Sequence, residues 1–220
     1  MRKEFERITP EEAGIESSAI LDFLDELESG YTEMHGLMIM RHDKIVCEGW
    51  WAPYAPGLHH MCFSLTKTYM GTAIGAAIQE GLLSLEESPF DIFPEYAPEN
   101  PTEYQKALKL KDVLSFSAGM RHFPSMEGNW VKNFLNLELE YEPGTAFFYN
   151  SVASTFLGRV IEKVTGKNVY EYLKEKVFGP IGIDPTHIAW GIAPEGSDMW
   201  AWRTYSTTED NLRLMKLYKD

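Results

Sequence analysis

Ser64 and Lys67 stand three residues apart in the stretch Phe63-Ser64-Leu65-Thr66-Lys67-Thr68. On a helix that spacing puts the two side chains next to each other, one turn apart. Lys67 is the only charge between Phe63 and Gln79 in an otherwise small and apolar segment. Such a segment predicts a buried helix, and burial favours the neutral amine of a lysine. An amine beside a hydroxyl can take the hydroxyl proton and turn a weak nucleophile into a strong one. The pattern S-x-x-K alone is weak evidence. Thirteen serines and thirteen lysines in 220 residues yield roughly 0.8 such pairs by chance. A helix start with Ser64 near the cap and Lys67 snorkelling to solvent would show the same letters.

Tyr149 is the second residue with chemical potential. Tyr149-Asn150-Ser151 follows a Pro143-Gly144-Thr145 turn and opens a helical pattern. A tyrosine near a lysine can serve as general base and acid, although most tyrosines are core aromatics with a satisfied hydroxyl. Trp130 and Phe123, in the loop region before Tyr149, are candidates to line a substrate cleft. His59-His60 has no carboxylate or cysteine at metal-ligand spacing, so no metal site is expected. No segment resembles a phosphate-binding glycine loop, and no cofactor is expected.

The elements that must position these residues can be read in order. A helix is expected near Thr9-Pro10-Glu11-Glu12, and another from about Ser18 to Glu28 with Ile20, Leu21, Leu24 and Leu27 on its inner face. Strands are expected at His35–Arg41 and Ile45–Trp51, joined at His42-Asp43-Lys44. The helix after Ser64 ends near Glu80-Gly81, where glycine favours a C-terminal cap. The proline-rich span from Leu82 to Pro101 reads as loop. Short helices follow at Leu108–Leu114 and Trp130–Leu139. A helix with Val152, Phe156, Val160 and Val164 on one stripe, ending at Gly166, is followed by one capped by Asn168. Ser206-x-x-Glu209 resembles a capping box for a last helix. After Trp51 only Ile188–Ile192 offers weak strand character. The reading is an α+β fold in a single domain over residues 1–220, with a helical region and an antiparallel sheet of which only the N-terminal hairpin is clear. Two strands alone are marginally stable, so the sheet is expected to be unfinished, and its open edge predicts self-association.

Composition removes several alternatives. The formal net charge is −13, which argues against nucleic acid as a partner, because phosphate contacts require a surplus of lysine and arginine. No apolar run reaches the roughly 18 residues of a membrane span. The start Met1-Arg2-Lys3-Glu4-Phe5 has charges with no apolar run behind them, so no signal peptide is expected. The two cysteines, Cys47 and Cys62, lie outside any C-x-x-C unit and point to a reducing compartment. A cytoplasmic protein is expected.

Taken together, the motifs resemble those of the beta-lactamase-related serine hydrolases, the group of class C beta-lactamases, low-molecular-weight penicillin-binding proteins and related esterases and amidases. The similarity is carried by Phe63-Ser64-Leu65-Thr66-Lys67 with Gly71-x-x-Ile74-Gly75 and Glu80-Gly81-Leu82. It continues through Leu114-Ser115-Phe116-Ser117-Ala118-Gly119-Met120, Glu142-Pro143-Gly144-Thr145 to Ser151, and Phe178-Gly179-Pro180-Ile181-Gly182. The resemblance implies a beta-lactamase/transpeptidase-like fold. It implies Ser64 as a nucleophile that forms an acyl-enzyme with a small-molecule ester, amide or beta-lactam-like substrate. Lys67 would help deprotonate it, and Tyr149 would act as general base and acid. The Ser64 backbone N–H would form half of an oxyanion hole. Ser151 stands where the family's Y-x-N motif has asparagine, so the third, substrate-holding position offers a hydroxyl in place of an amide. The family's third motif, H-x-G or K-T-G on a late strand, is not found after Ser151, which implies a C-terminally incomplete domain. The competing expectation is a family member that binds ligand or partner without turning it over.

Overall fold

The computed structural model describes residues 4–191 and 203–219. In chain order the elements are α1 (Ser17–Ser29), β1 (Gly36–Arg41), β2 (Lys44–Trp50), β3 (His60–Met61), α2 (Thr66–Gln79), α3 (Pro89–Ile92), α4 (Glu103–Ala107) and α5 (Leu110–Leu114). They continue as α6 (Trp130–Leu135), α7 (Ser151–Thr165), α8 (Val169–Leu173), α9 (Gly179–Ile181), β4 (Ala189–Trp190), β5 (Thr204–Ser206) and α10 (Thr208–Lys219). The arrangement is the expected α+β one. The described residues group into two compact units. One comprises residues 4–61, 178–189 and 205–219, and the other the described residues of 62–177 and 190–204.

In the first unit β1 and β2 form the expected antiparallel hairpin, Gly36 opposite Trp50 and Arg41 opposite Lys44. His42 and Asp43 at its tip both have positive φ, 50° and 62°, the conformation that matches the twist of a two-residue hairpin turn. The hairpin is less isolated than its sequence suggests. Glu6 and Ile8 bond to Ile45 through the backbone at 2.8 and 3.0 Å, adding a parallel bridge beside β2, and α10 packs against β1. The short strands β3 and β5 pair as well, with His60 opposite Ser206 and Met61 opposite Tyr205. Neither feature has a local signal, because strands of two or three residues carry too little alternation to read. The Ile188–Ile192 expectation contracts to β4, and Ile192 lies outside the described residues.

Several helix expectations are adjusted. In α1 only Ile20 of the predicted inner face is buried; Leu21 is exposed and Leu24 and Leu27 are half-buried. Near Thr9 there is only a single turn, Glu11–Ala13, closed by bonds between Thr9 and Glu12. The cap of α10 falls one residue later than Ser206: Thr207 Oγ1 accepts from the Asp210 N–H at 3.1 Å and donates to its carboxylate at 2.7 Å. Ser206 is instead fully buried in β5.

The second unit is built on α2 and α7. The small residues of α2 let it approach α7 and α8 closely. Tyr69, Ala73 and Ala77 of α2 have no exposed surface, and neither do Phe156, Val160 and Ile161 of α7. Asn150 caps α7, its Oδ1 accepting from the Val152 and Ala153 N–H groups, and Gly166 closes it at φ 70°. The proline-rich span holds the short helix α3, with Ser88 as cap and Pro89 at the first position. Thr102 and Gln105 form a reciprocal capping box on α4, a helix absent from the sequence reading. The helix expected to run to Leu139 stops at Leu135, where the Asn136 amide bonds to the carbonyls of Lys132 and Tyr96. Neither cysteine is in a disulfide, and both are half-buried. Among the described residues no helix is long and apolar enough to cross a membrane.

Candidate active site

Ser64 sits in one tight turn, Phe63–Leu65, that leads straight into α2. Two backbone anchors hold that turn. The Cys62 N–H donates to the Thr204 carbonyl at 2.8 Å, and the Thr204 N–H donates to Thr66 Oγ1 at 3.2 Å. The residues on either side of Ser64 are therefore tied to one residue of β5. Phe63 takes φ 44°, a conformation uncommon for a bulky side chain and costly where it occurs. Thr66, fully buried, is a positioning residue that the sequence did not mark, because its partner lies 138 residues away.

Lys67 Nζ donates to Ser64 Oγ at 3.2 Å and stands 5.1 Å from the centre of the Tyr149 ring. Ser64 Oγ and Tyr149 Oη are 2.6 Å apart. Either hydroxyl can donate in this contact; with Lys67 donating to Oγ, one available arrangement directs the Ser64 proton at the phenol oxygen. Burial pushes the Tyr149 phenol up, but the hydrogen bonds from Lys67 and Ser64 outweigh it and hold the group below its ordinary value. The Ser151 hydroxyl adds a weaker pull in the same direction. Lys67 is half-buried rather than buried, because its turn of α2 opens toward an exposed Ser64 and Tyr149.

A backbone ladder brings Tyr149 to this place. The carbonyls of Phe116, Ser117 and Gly119 accept from the N–H groups of Phe148, Gly144 and Glu140, each at 2.8 Å. Gly119 takes φ 84°, and a Cβ there would lie 2.1 Å from the Tyr141 carbonyl oxygen. Gly119→Ala should therefore cost about 2–4 kcal/mol in denaturant unfolding, from the left-handed backbone plus the clash. An unchanged midpoint would show that the ladder yields without penalty.

The structure thus brings Ser64, Lys67 and Tyr149 together, with Ser151 as the first residue of α7 beside them. Asn150 points away from them: it is buried, and its amide nitrogen meets Met120 Sδ at 3.4 Å. Phe123 pairs with Phe148 at 5.6 Å between ring centres, not with Tyr149. Trp130 lines a separate depression with Phe93, Tyr96, Arg159 and Lys163. Sequence reasoning assigned no role to Phe116, whose ring lies 5.0 Å from that of Tyr149. Among the described residues no group of three or more histidine, cysteine or carboxylate side chains is placed to hold a metal ion.

The family model described as Beta-lactamase matches residues 24–220. The chain belongs to that family. It is 30% identical over 149 residues to a lovastatin esterase of Penicillium rubens, covering 54% of this chain and 37% of that protein. A putative D-alanyl-D-alanine carboxypeptidase of Escherichia coli is 26% identical over 139 residues, covering 56% and 32%. The chain thus spans about a third of the length of these two relatives. Among solved structures, a putative beta-lactamase from Bacteroides dorei superposes with a TM-score of 0.73 at 20% identity, covering 92% of this chain and 62% of that one.

Proposed function

We propose that this chain carries the acylation centre of a serine hydrolase acting on esters, amides or beta-lactam-like bonds. The observation that supports this best is the double engagement of Ser64 Oγ, by Lys67 Nζ at 3.2 Å and by Tyr149 Oη at 2.6 Å. In the proposed first step Ser64 Oγ attacks the substrate carbonyl carbon while its proton passes to the Tyr149 oxygen. The tetrahedral intermediate collapses as the bond to the leaving group breaks, and Tyr149 returns the proton to the departing oxygen or nitrogen. Water then attacks the acyl-Ser64 ester and gives its proton to Tyr149; the bond from the acyl carbon to Ser64 Oγ breaks, the acid departs, and Tyr149 returns the proton to Oγ. Lys67 favours the ionised form of the Tyr149 phenol and orients the serine hydroxyl. The Ser64 N–H is one donor for the oxyanion; each such donor is typically worth about 10²–10³ in rate. The relatives named as an esterase and a carboxypeptidase support ester and amide carbonyls as the substrate class.

The test is intact-protein mass spectrometry of the purified chain after exposure to a panel of acyl donors and a fluorophosphonate, followed by peptide mapping. The expected result is one adduct per chain, on the peptide that contains Ser64. A folded chain with no adduct, or with the adduct elsewhere, would sink the hydrolase reading and leave ligand binding without turnover.

A further inference from the structure

One exposed aromatic side chain, Tyr149, meets Ser64, and two further rings follow it in series: Phe116 packs on Tyr149, and Phe147 packs on Phe116. Tyr149 is 45% exposed and Phe147 71% exposed. Phe116 joins them, its ring tilted at 50° and 5.0 Å from Tyr149 and met edge-on by Phe147 at 6.1 Å. Isolated exposed aromatics are ordinary, but a contiguous group beside a reactive oxygen marks a binding surface. Phe116 is also held in the left-handed region, at φ 57°, where a bulky residue is strained. Its carbonyl is fixed by the Phe148 N–H at 2.8 Å, and the following Ser117 N–H is held by the Asp112 carbonyl at the same distance. Strain of this sort persists where surrounding bonds over-determine it, and it concentrates at sites that use the resulting placement. Here the placement is a ring laid against the proposed acid–base group.

We propose that Phe116 and Phe147 seat the leaving group of the substrate, so that this chain prefers esters of aryl-bearing or similarly bulky apolar alcohols. The inference rests on acylation at Ser64 as set out above. A group that protonates a departing oxygen must lie within hydrogen-bond reach of it. If Tyr149 Oη does so, the departing oxygen lies against Tyr149, and whatever is attached to it can extend over Phe116, which packs on Tyr149, and on to Phe147, which packs on Phe116. The acyl carbon, by contrast, is bound to Ser64 Oγ and leads away from that oxygen. Flat apolar groups gain most on such a surface, because aromatic rings pack edge-to-face or offset with additional attraction beyond area burial.

The test compares kcat/KM for 2-phenylethyl acetate and ethyl acetate. The two share the acyl group, and their alcohols are alike in acidity, so the ratio reports contact with the leaving group. A phenyl group half-covered by two rings should raise kcat/KM about tenfold. In Phe147→Ala the ratio should fall to about twofold or less. Because the ratio is taken within one preparation, a smaller folded fraction cancels from it. Equal kcat/KM for the two esters in the unsubstituted chain would overturn the proposal and leave the hydrolase reading intact. So would a ratio that survives in Phe147→Ala, or a preference that appears only when the phenyl group is moved to the acyl side. Absence of turnover of both esters, together with no fluorophosphonate adduct on Ser64, would instead overturn the acylation reading, and this inference with it.

Discussion

Ser64→Ala will abolish ester turnover and adduct formation, lowering kcat/KM by about 10⁴-fold or more. The size follows from the way such groups act as a unit: removing the nucleophile leaves Lys67 and Tyr149 with no proton to move, and loss of one member costs about as much as loss of all. Binding and oxyanion donation such as that of the Ser64 backbone N–H remain to speed attack by water. The substitution also isolates chemistry from folding. Ser64 is exposed, so the unfolding midpoint should change little, as for surface positions generally, within about 0.5 kcal/mol. The Cys62–Thr204 and Thr204–Thr66 bonds that hold the turn do not involve the Ser64 side chain. Steady-state kinetics and intact mass, run beside a denaturant melt, check both halves. Turnover within tenfold of the parent chain at an unchanged midpoint would mean that another group is the nucleophile.

How much of this was legible in the chain depends on the range of the interactions involved. The pairing of Ser64 with Lys67 was, because helical geometry alone makes residues three apart neighbours. Tyr149 was not legible in this way: it meets Ser64 across 85 residues, and only the resemblance of its surroundings to a known motif linked the two. Thr66 and Phe116 had no signal at all. The role of Thr66 is a bond to the backbone of β5, and the left-handed turn of Phe116 depends on the ladder to residues 140–148. α1 shows the converse limit. Its apolar residues do fall on a helical stripe, yet of Ile20, Leu21, Leu24 and Leu27 only Ile20 is buried among the described residues. Periodicity identifies which face is apolar and is silent on what covers it. The cap of α10 is a subtler case. Ser206-x-x-Glu209 and Thr207-x-x-Asp210 satisfy the same rule one residue apart, and the choice was made by tertiary pairing, since Ser206 is committed to His60 in the short sheet.

Tyr149→Phe should lower kcat/KM by about 10²–10⁴-fold, the usual worth of a placed acid–base group, and it should change the shape of the pH profile as well as its height. An ordinary phenol titrates near 10. Here burial pushes the group up, while Lys67 and Ser64 together hold it below that value. The phenolate is the form that accepts the Ser64 proton. In the unsubstituted chain kcat/KM should therefore rise with pH as Tyr149 ionises and level off once pH exceeds its pKa, with the inflection below 10. In Tyr149→Phe the rising limb that belongs to this group should vanish, leaving a low, flat rate. Lys67→Met tests the direction of this shift. Removing the Lys67 nitrogen takes away the largest of the lowering causes, so the inflection should move up. The loss of activity in Lys67→Met should then be greatest at neutral pH and partly recovered at high pH. A Tyr149→Phe chain that kept the parent inflection would assign the ionisation to another group and return Tyr149 to the role of a wall residue.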